Sequence, residues 1–121
     1  MNYDLLSGAD LAFIGDAYYE LYIRNYVLNK GMTKLLDLHK ASVKYVSKTA
    51  QCKIIKVLIE ELTEEEVNIF KRGRNYKYKK NDAEYVNASG FEALVGYLYL
   101  KQNIERLEYI ISKAIEIIEK E

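Results

Sequence analysis

Leu11-Ala12-Phe13-Ile14-Gly15-Asp16-Ala17-Tyr18-Tyr19 is an apolar run broken by one carboxylate. Extended outward from Ala9 to Leu28, it predicts a long helix, with Leu11, Ile14, Tyr18 and Leu21 at the spacing of one helical face. Ala12, Tyr19 and Ile23 line its other side, and a helix apolar nearly all round is expected to be central and buried. Lys30-Gly31 ends it, with Gly31 as the left-handed cap. Thr33 opens a short turn, and Asp37 is the expected N-cap of a helix running to Glu61. Thr63-Glu64-Glu65-Glu66 matches a capping box, and the helix it opens should stop near Gly73. Arg74 to Lys80 reads as loop. Asp82 or Asn87 then caps a helix reaching Gln102, and Asn103 caps the last, whose stripe is Ile104, Leu107, Ile110, Ile111, Ala114, Ile115 and Ile118. The expected fold is all-α, with about five principal helices in a single domain, residues 1–121.

Composition agrees. The 121 residues contain no Pro and only 6 Gly, which disfavours a loop-rich or all-β fold. Half the residues are hydrophobic and 30% are charged, a globular balance rather than a disordered one. The single Cys, Cys52, excludes an internal disulfide, argues against a cysteine-based zinc site, and reads as a small core filler. No signal peptide or membrane span is expected, and a cytoplasmic setting is the default. The 18 basic and 18 acidic residues cancel in sum but not in distribution. Lys30 to Ile59 holds seven Lys and one acid, and Lys71 to Lys80 holds six basic residues and no acid. Such segments can offer a cationic face to a polyanion. The stripe Lys40, Lys44, Lys48 also has a plain reading as a solvated helix surface.

Two carboxylates stand in apolar settings, Asp16 and Glu92, the latter the only charged residue from Ala88 to Leu100. Such a group costs several kcal/mol unless it is paired or binds a cation. Gly15 precedes Asp16 and Gly96 lies one turn beyond Glu92, which would leave room for an ion, a water or a nucleic-acid backbone. Two acids on two helices facing one cleft could hold Mg²⁺. Structural pairing stands beside this reading: Glu20 with Arg24, and Glu92 with a lysine of the basic helix.

At these residues a resemblance enters. Leu11 to Ala17 resembles the signature helix of ribonuclease III, and Phe91-Glu92-Ala93-Leu94-Val95-Gly96 with its aromatic continuation resembles the second signature. Leu38-His39-Lys40 through Val46-Ser47 and Gln51, with Lys71-Arg72-Gly73-Arg74-Asn75, resembles the short branch called Mini-ribonuclease III. The resemblance spans nearly the whole chain in order. It implies the helical ribonuclease III endonuclease fold and a homodimer with an RNA-binding valley. It implies hydrolysis of double-stranded RNA to 5′-phosphate ends, in maturation of 23S ribosomal RNA precursors, with a ribosomal protein as a further partner. The separate double-stranded RNA-binding domain of larger relatives is not expected. Asp16 and Glu92 would be the catalytic ligands of Mg²⁺, with Mn²⁺ as a substitute. Ala12 and Ser89 stand where larger relatives place two further carboxylates, so the number of ions per site stays open.

RNA binding would fall to Arg72, Arg74, Lys77, Lys79 and Lys80, with Tyr76 and Tyr78 interleaved, and to His39, Lys40 and Lys44. A-form RNA would be read by backbone and shape rather than by sequence. His39 also has a packing role open to it. Two other functions compete: a catalytically inactive RNA-binding or ribosome-associated protein of the same fold, and an all-α nucleotide pyrophosphohydrolase using Glu61 and Glu64 or Glu105 and Glu108.

Overall fold

A computed structural model describes residues 1–121. The helices are α1 (Gly8–Asn29), α2 (Leu35–Val46), α3 (Lys48–Leu58), α4 (Glu64–Arg74), α5 (Ala83–Leu100) and α6 (Ile104–Glu119), with single turns of tighter helix at Tyr3–Leu5 and Ile59–Glu61. There is no strand, and no helix is long and apolar enough to cross a membrane.

The central helix is α5. Every residue from Ala88 to Leu98 is buried, Glu92 included. Helices α1, α3 and α4 pack around it, and α6 closes one end through Leu107, Ile110, Ile111, Ala114, Ile115 and Ile118. The expected stripe of α6 is therefore its core face, apart from Ile104 at its exposed start. Cys52 is a buried free thiol, as a small filler should be.

Helix α1 departs from the expectation of burial all round. It buries Leu11, Ala12, Gly15, Tyr19, Ile23 and Val27, while Phe13, Leu21 and Leu28 face outward. Its start is fixed by Ser7 and Asp10, which cap each other's backbone N–H groups. It crosses α5 at backbone contact. A Cβ on Gly15 would overlap the Glu92 carbonyl oxygen, and one on Gly96 would overlap the Leu11 carbonyl oxygen. The space beside these two glycines is thus filled by the facing helix, not left for an ion or a nucleic acid. What the glycines provide is the crossing itself.

The helix expected from Asp37 to Glu61 is two helices. Ser47 is extended (φ −61°, ψ 155°); its N–H closes α2 on the Val43 carbonyl, and its hydroxyl accepts from Ala50 N–H to open α3. A serine hydroxyl that caps a new helix competes with continuation of the old one, and no Gly or Pro marks the break. Asp37 lies inside the first turn of α2, and Lys34 holds the cap position without a side-chain bond. The Thr63/Glu66 box forms as expected, and Asp82 rather than Asn87 caps α5. Asn103 precedes α6 but makes no side-chain cap bond.

Candidate active site

The α1/α5 crossing decides the site. Because Gly15 rests against the Glu92 carbonyl, the next side chain on α1, Asp16, comes beside the Glu92 carboxylate. Glu92 is buried, whereas Asp16 lies on the exposed side. Two acids from residues 76 positions apart therefore share one place. Burial, and then the neighbouring Asp16 carboxylate, push Glu92 from the ordinary 4.5 up to about 7, against the pull of Lys48.

Lys48, the first residue of α3, donates its ammonium to both Glu92 oxygens at 3.2 and 3.1 Å. The same ammonium lies 5.6 Å from the centre of the Tyr85 ring. One turn along α3, Gln51 donates to Glu92 Oε2 at 3.2 Å and to the Val46 carbonyl at 2.9 Å. Its Oε1 is buried without a partner. Ser89 and Ala12, flanking the acids, are both buried.

Lys48 and Gln51 bring sequence elements to the site that the two acids alone do not announce. Lys48 counts as one of three lysines on a single stripe only while the helix is continuous. The break at Ser47 takes it out of that stripe and turns it toward Glu92. The readable signal was a serine three residues before a helix-compatible Ala50, which marks a cap. The sequence reading that Glu92 pairs with a lysine of the basic helix names this contact, and the ion pair of Glu20 with Arg24 is present at 2.9 Å.

The basic loop lies alongside. Tyr78 donates to the Gly73 carbonyl at 2.8 Å and packs edge-on against Tyr85, whose ring neighbours Lys48. Tyr76 packs against Tyr78 in turn, its ring tilted by 58°. Lys77 and Lys79 extend into solvent, and Lys80 stands 3.9 Å from Asp82. Arg74 donates to Asn87 at 3.2 Å, one side of an otherwise exposed group. Arg72 is differently employed: its guanidinium donates to the carbonyls of Asp4 and Leu6 and pins the N-terminal turn. Lys40 and Lys44 are exposed on α2, Lys44 over the Tyr45 ring. His39 lines an apolar groove with Glu20, Arg24, Leu28, Leu35 and Val43, on the outward face shared by α1 and α2.

The ribonuclease III domain family matches residues 9–103. The chain belongs to the ribonuclease III family. Within that family it falls in the Mini-ribonuclease 3 branch. The Mini-ribonuclease 3 of Streptococcus pneumoniae is 45% identical over 126 residues, covering 98% of each chain. That of Enterococcus faecalis is 45% identical over 122 residues, covering 95% of this chain and 92% of the relative. A crystal structure of a Fusobacterium nucleatum protein superposes with a TM-score of 0.83 at 36% identity, covering 93% of both chains. The ribonuclease III fold thus accounts for the all-α architecture, and the two motif acids lie at the crossing of its two signature helices.

Proposed function

We propose that this chain, as one catalytic domain over residues 1–121, cuts double-stranded RNA with a divalent cation held by Asp16 and Glu92. Endoribonuclease activity on double-stranded RNA follows from membership of the family, which is generally divalent-metal dependent. The observation that carries the residue assignment is the convergence of two carboxylates at one helix crossing.

The donor set suits Mg²⁺, with Mn²⁺ as a substitute. Both candidate donors are oxygen, the Asp16 and Glu92 carboxylates. No third His, Cys, Asp or Glu side chain joins them. Two carboxylates with a largely aqueous shell is the mode in which Mg²⁺ is commonly held. When bound, the ion supplies positive charge to developing phosphate oxyanions and lowers the pKa of a water.

The chain's own residues do the rest. Lys77, Lys79, Lys80 and Arg74, on the loop beside the site, meet phosphates, as do Lys40 and Lys44 from α2. Tyr78 fixes that loop against Tyr85, whose ring neighbours Lys48, so the loop is held on the side of the site. Arg72 acts indirectly, by bracing the chain's N-terminal turn. Binding of this kind weakens steeply as salt rises.

Phe13, Ala17, Leu21 and Leu28 repeat on one exposed face of α1, next to exposed Leu35 and Leu36 of α2. An apolar face of that extent suits a second copy of the chain, with His39 packed at the joint. The products carry 5′-phosphate ends, the natural substrate is a 23S ribosomal RNA precursor presented with a ribosomal protein, and the setting is cytoplasmic.

Long duplex RNA incubated with and without Mg²⁺ tests the reading. Asp16→Asn should slow cutting by at least ~10²-fold while gel-shift affinity persists in Ca²⁺. Undiminished cutting would remove Asp16 from the site. The silent-relative reading has one observation in its favour, the lysine already seated on Glu92. A wild-type chain that shifts duplex RNA yet never cuts it in Mg²⁺ or Mn²⁺ would establish that reading instead. The pyrophosphohydrolase reading has none: Glu61 accepts from the Tyr109 hydroxyl, and Glu64, Glu105 and Glu108 lie exposed.

A further inference from the structure

Glu92 already has a cation. The Lys48 ammonium reaches both of its oxygens, while Gln51 takes Oε2 from the next turn. The two partners are unequal. The Glu92 side chain is 5% exposed, but that of Lys48 is 41% exposed. The carboxylate is fixed in the interior, and the ammonium comes to it from the solvent side.

Lys48 also has a second seat. Its Nζ lies 5.6 Å from the centre of the Tyr85 ring, on the same helix as Glu92 and two turns earlier. An ammonium that leaves Glu92 can stay over that aromatic face, with water on its far side, at no cost of stranding a charge in a dry core. Gln51, fully buried and tied to the Val46 carbonyl, has no such freedom and keeps Glu92 in position.

We propose that Lys48 is an exchangeable resident cation: it neutralises Glu92 until the divalent ion arrives, and that ion binds by displacing the ammonium from the Glu92 oxygens. This rests on the reading that Asp16 and Glu92 hold the ion. With both acids ionised, the two carboxylates and a seated Lys48 ammonium sum to a single negative charge; with the ammonium displaced, the acids present two charges to a divalent ion. The ammonium thus stabilises the metal-free protein and weakens its hold on metal, because each cation favours the same carboxylate. As a positioning residue it sets the metal concentration at which the site fills.

Mn²⁺ titrations of the full chain, followed by the electron paramagnetic resonance of free Mn²⁺, compare wild type with Lys48→Met and Lys48→Arg. Lys48→Met should bind Mn²⁺ about tenfold more tightly, and Lys48→Arg should stay within ~2-fold of wild type by keeping the charge. Metal-free Lys48→Met should melt lower than wild type and gain more in melting temperature from Mn²⁺. In the wild type, saturation with diamagnetic Mg²⁺ should shift the Lys48 side-chain resonances in nuclear magnetic resonance spectra as the ammonium moves onto the Tyr85 ring. Unchanged or weaker Mn²⁺ affinity in Lys48→Met, or Lys48 resonances indifferent to Mg²⁺, would overturn the exchange. Should Lys48→Met fail to fold, the wild-type spectra decide. Asp16→Asn keeps the two ideas apart: if it loses Mn²⁺ while Lys48→Met changes nothing, only the exchange falls. If Asp16→Asn binds Mn²⁺ undiminished, the site reading falls with it.

Discussion

Glu66 and Glu92 are both buried glutamates, 4% and 3% exposed, and each touches one basic side chain. Their surroundings otherwise differ. Glu66 receives two parallel bonds from the Arg106 guanidinium, both 2.8 Å, and a third from the Thr63 backbone N–H at 2.9 Å. Burial pushes its pKa up, yet Arg106 and Thr63 together hold it below the ordinary value. Glu92 gets an ammonium at 3.1–3.2 Å and an amide at 3.2 Å, and a second carboxylate is set beside it. Its pKa rises to about 7. One acid is satisfied and serves to join α4 to α6. The other is left short of positive charge, which is the condition a site needs if it is to gain by binding a cation.

Exchange of each acid for its amide should separate the two roles most widely. Glu92→Gln is expected to lower duplex-RNA cutting by ~10²–10³-fold, measured as initial rates at saturating Mg²⁺. Glu66→Gln should leave cutting at permissive temperature intact and cost about 2 kcal/mol of stability in urea unfolding, since Arg106 loses its bidentate partner. A Glu66→Gln protein that folds as well as wild type but fails to cut would erase the distinction.

The pH dependence sharpens it, and the signs are opposite. Glu92 keeps its proton to about 7 in the folded state but releases it near 4.5 when unfolded. Metal-free stability should therefore fall as pH rises from 4.5 to 7, and Glu92→Gln should flatten that decline. Glu66, with its pKa lowered, contributes stability in full above the unfolded carboxylate value and loses it as pH drops through its own lower one. Melting curves of wild type and both amide variants across this range read the two contributions separately. A wild-type curve that climbs from pH 4.5 to 7 solely through Glu92 would contradict the geometry.

A smaller effect belongs to the break between α2 and α3. Ser47→Ala removes the cap on α3, which should cost ~1 kcal/mol. It should also loosen Lys48 from Glu92, seen as a gain in Mn²⁺ affinity smaller than that of Lys48→Met. Loss of stability with no change in Mn²⁺ binding would show that Lys48 reaches Glu92 without help from the cap.

Much of this was legible in the residues. The long apolar stretch of α1, the Thr63 box, the Asp82 cap and the stripe of α6 are local patterns; α1, α4 and α5 begin where a side chain caps the first turn, and α6 follows its apolar stripe. Asp16 and Glu92 stood out because a lone charge in an apolar run needs a partner. The helix expected to span residues 37–61 failed at Ser47, because one hydroxyl can cap a helix or ride along it, and only the packing of α3 against α5 selects between the two. The outward face of α1 differs from the sequence expectation for a related reason: an apolar side chain carries no label for whether its cover comes from its own chain.

The sequence by itself determined which segments are helical, where most of them start, and that two carboxylates lie in company too apolar to tolerate them unaided. Tertiary structure alone decided that those carboxylates meet, that glycines bring the two helix backbones into contact, and that Lys48 is seated on Glu92. Helix ends are set by groups a few residues apart, and so are written locally. A charge's partner is set by distance in space, and that distance exists only once the helices have packed.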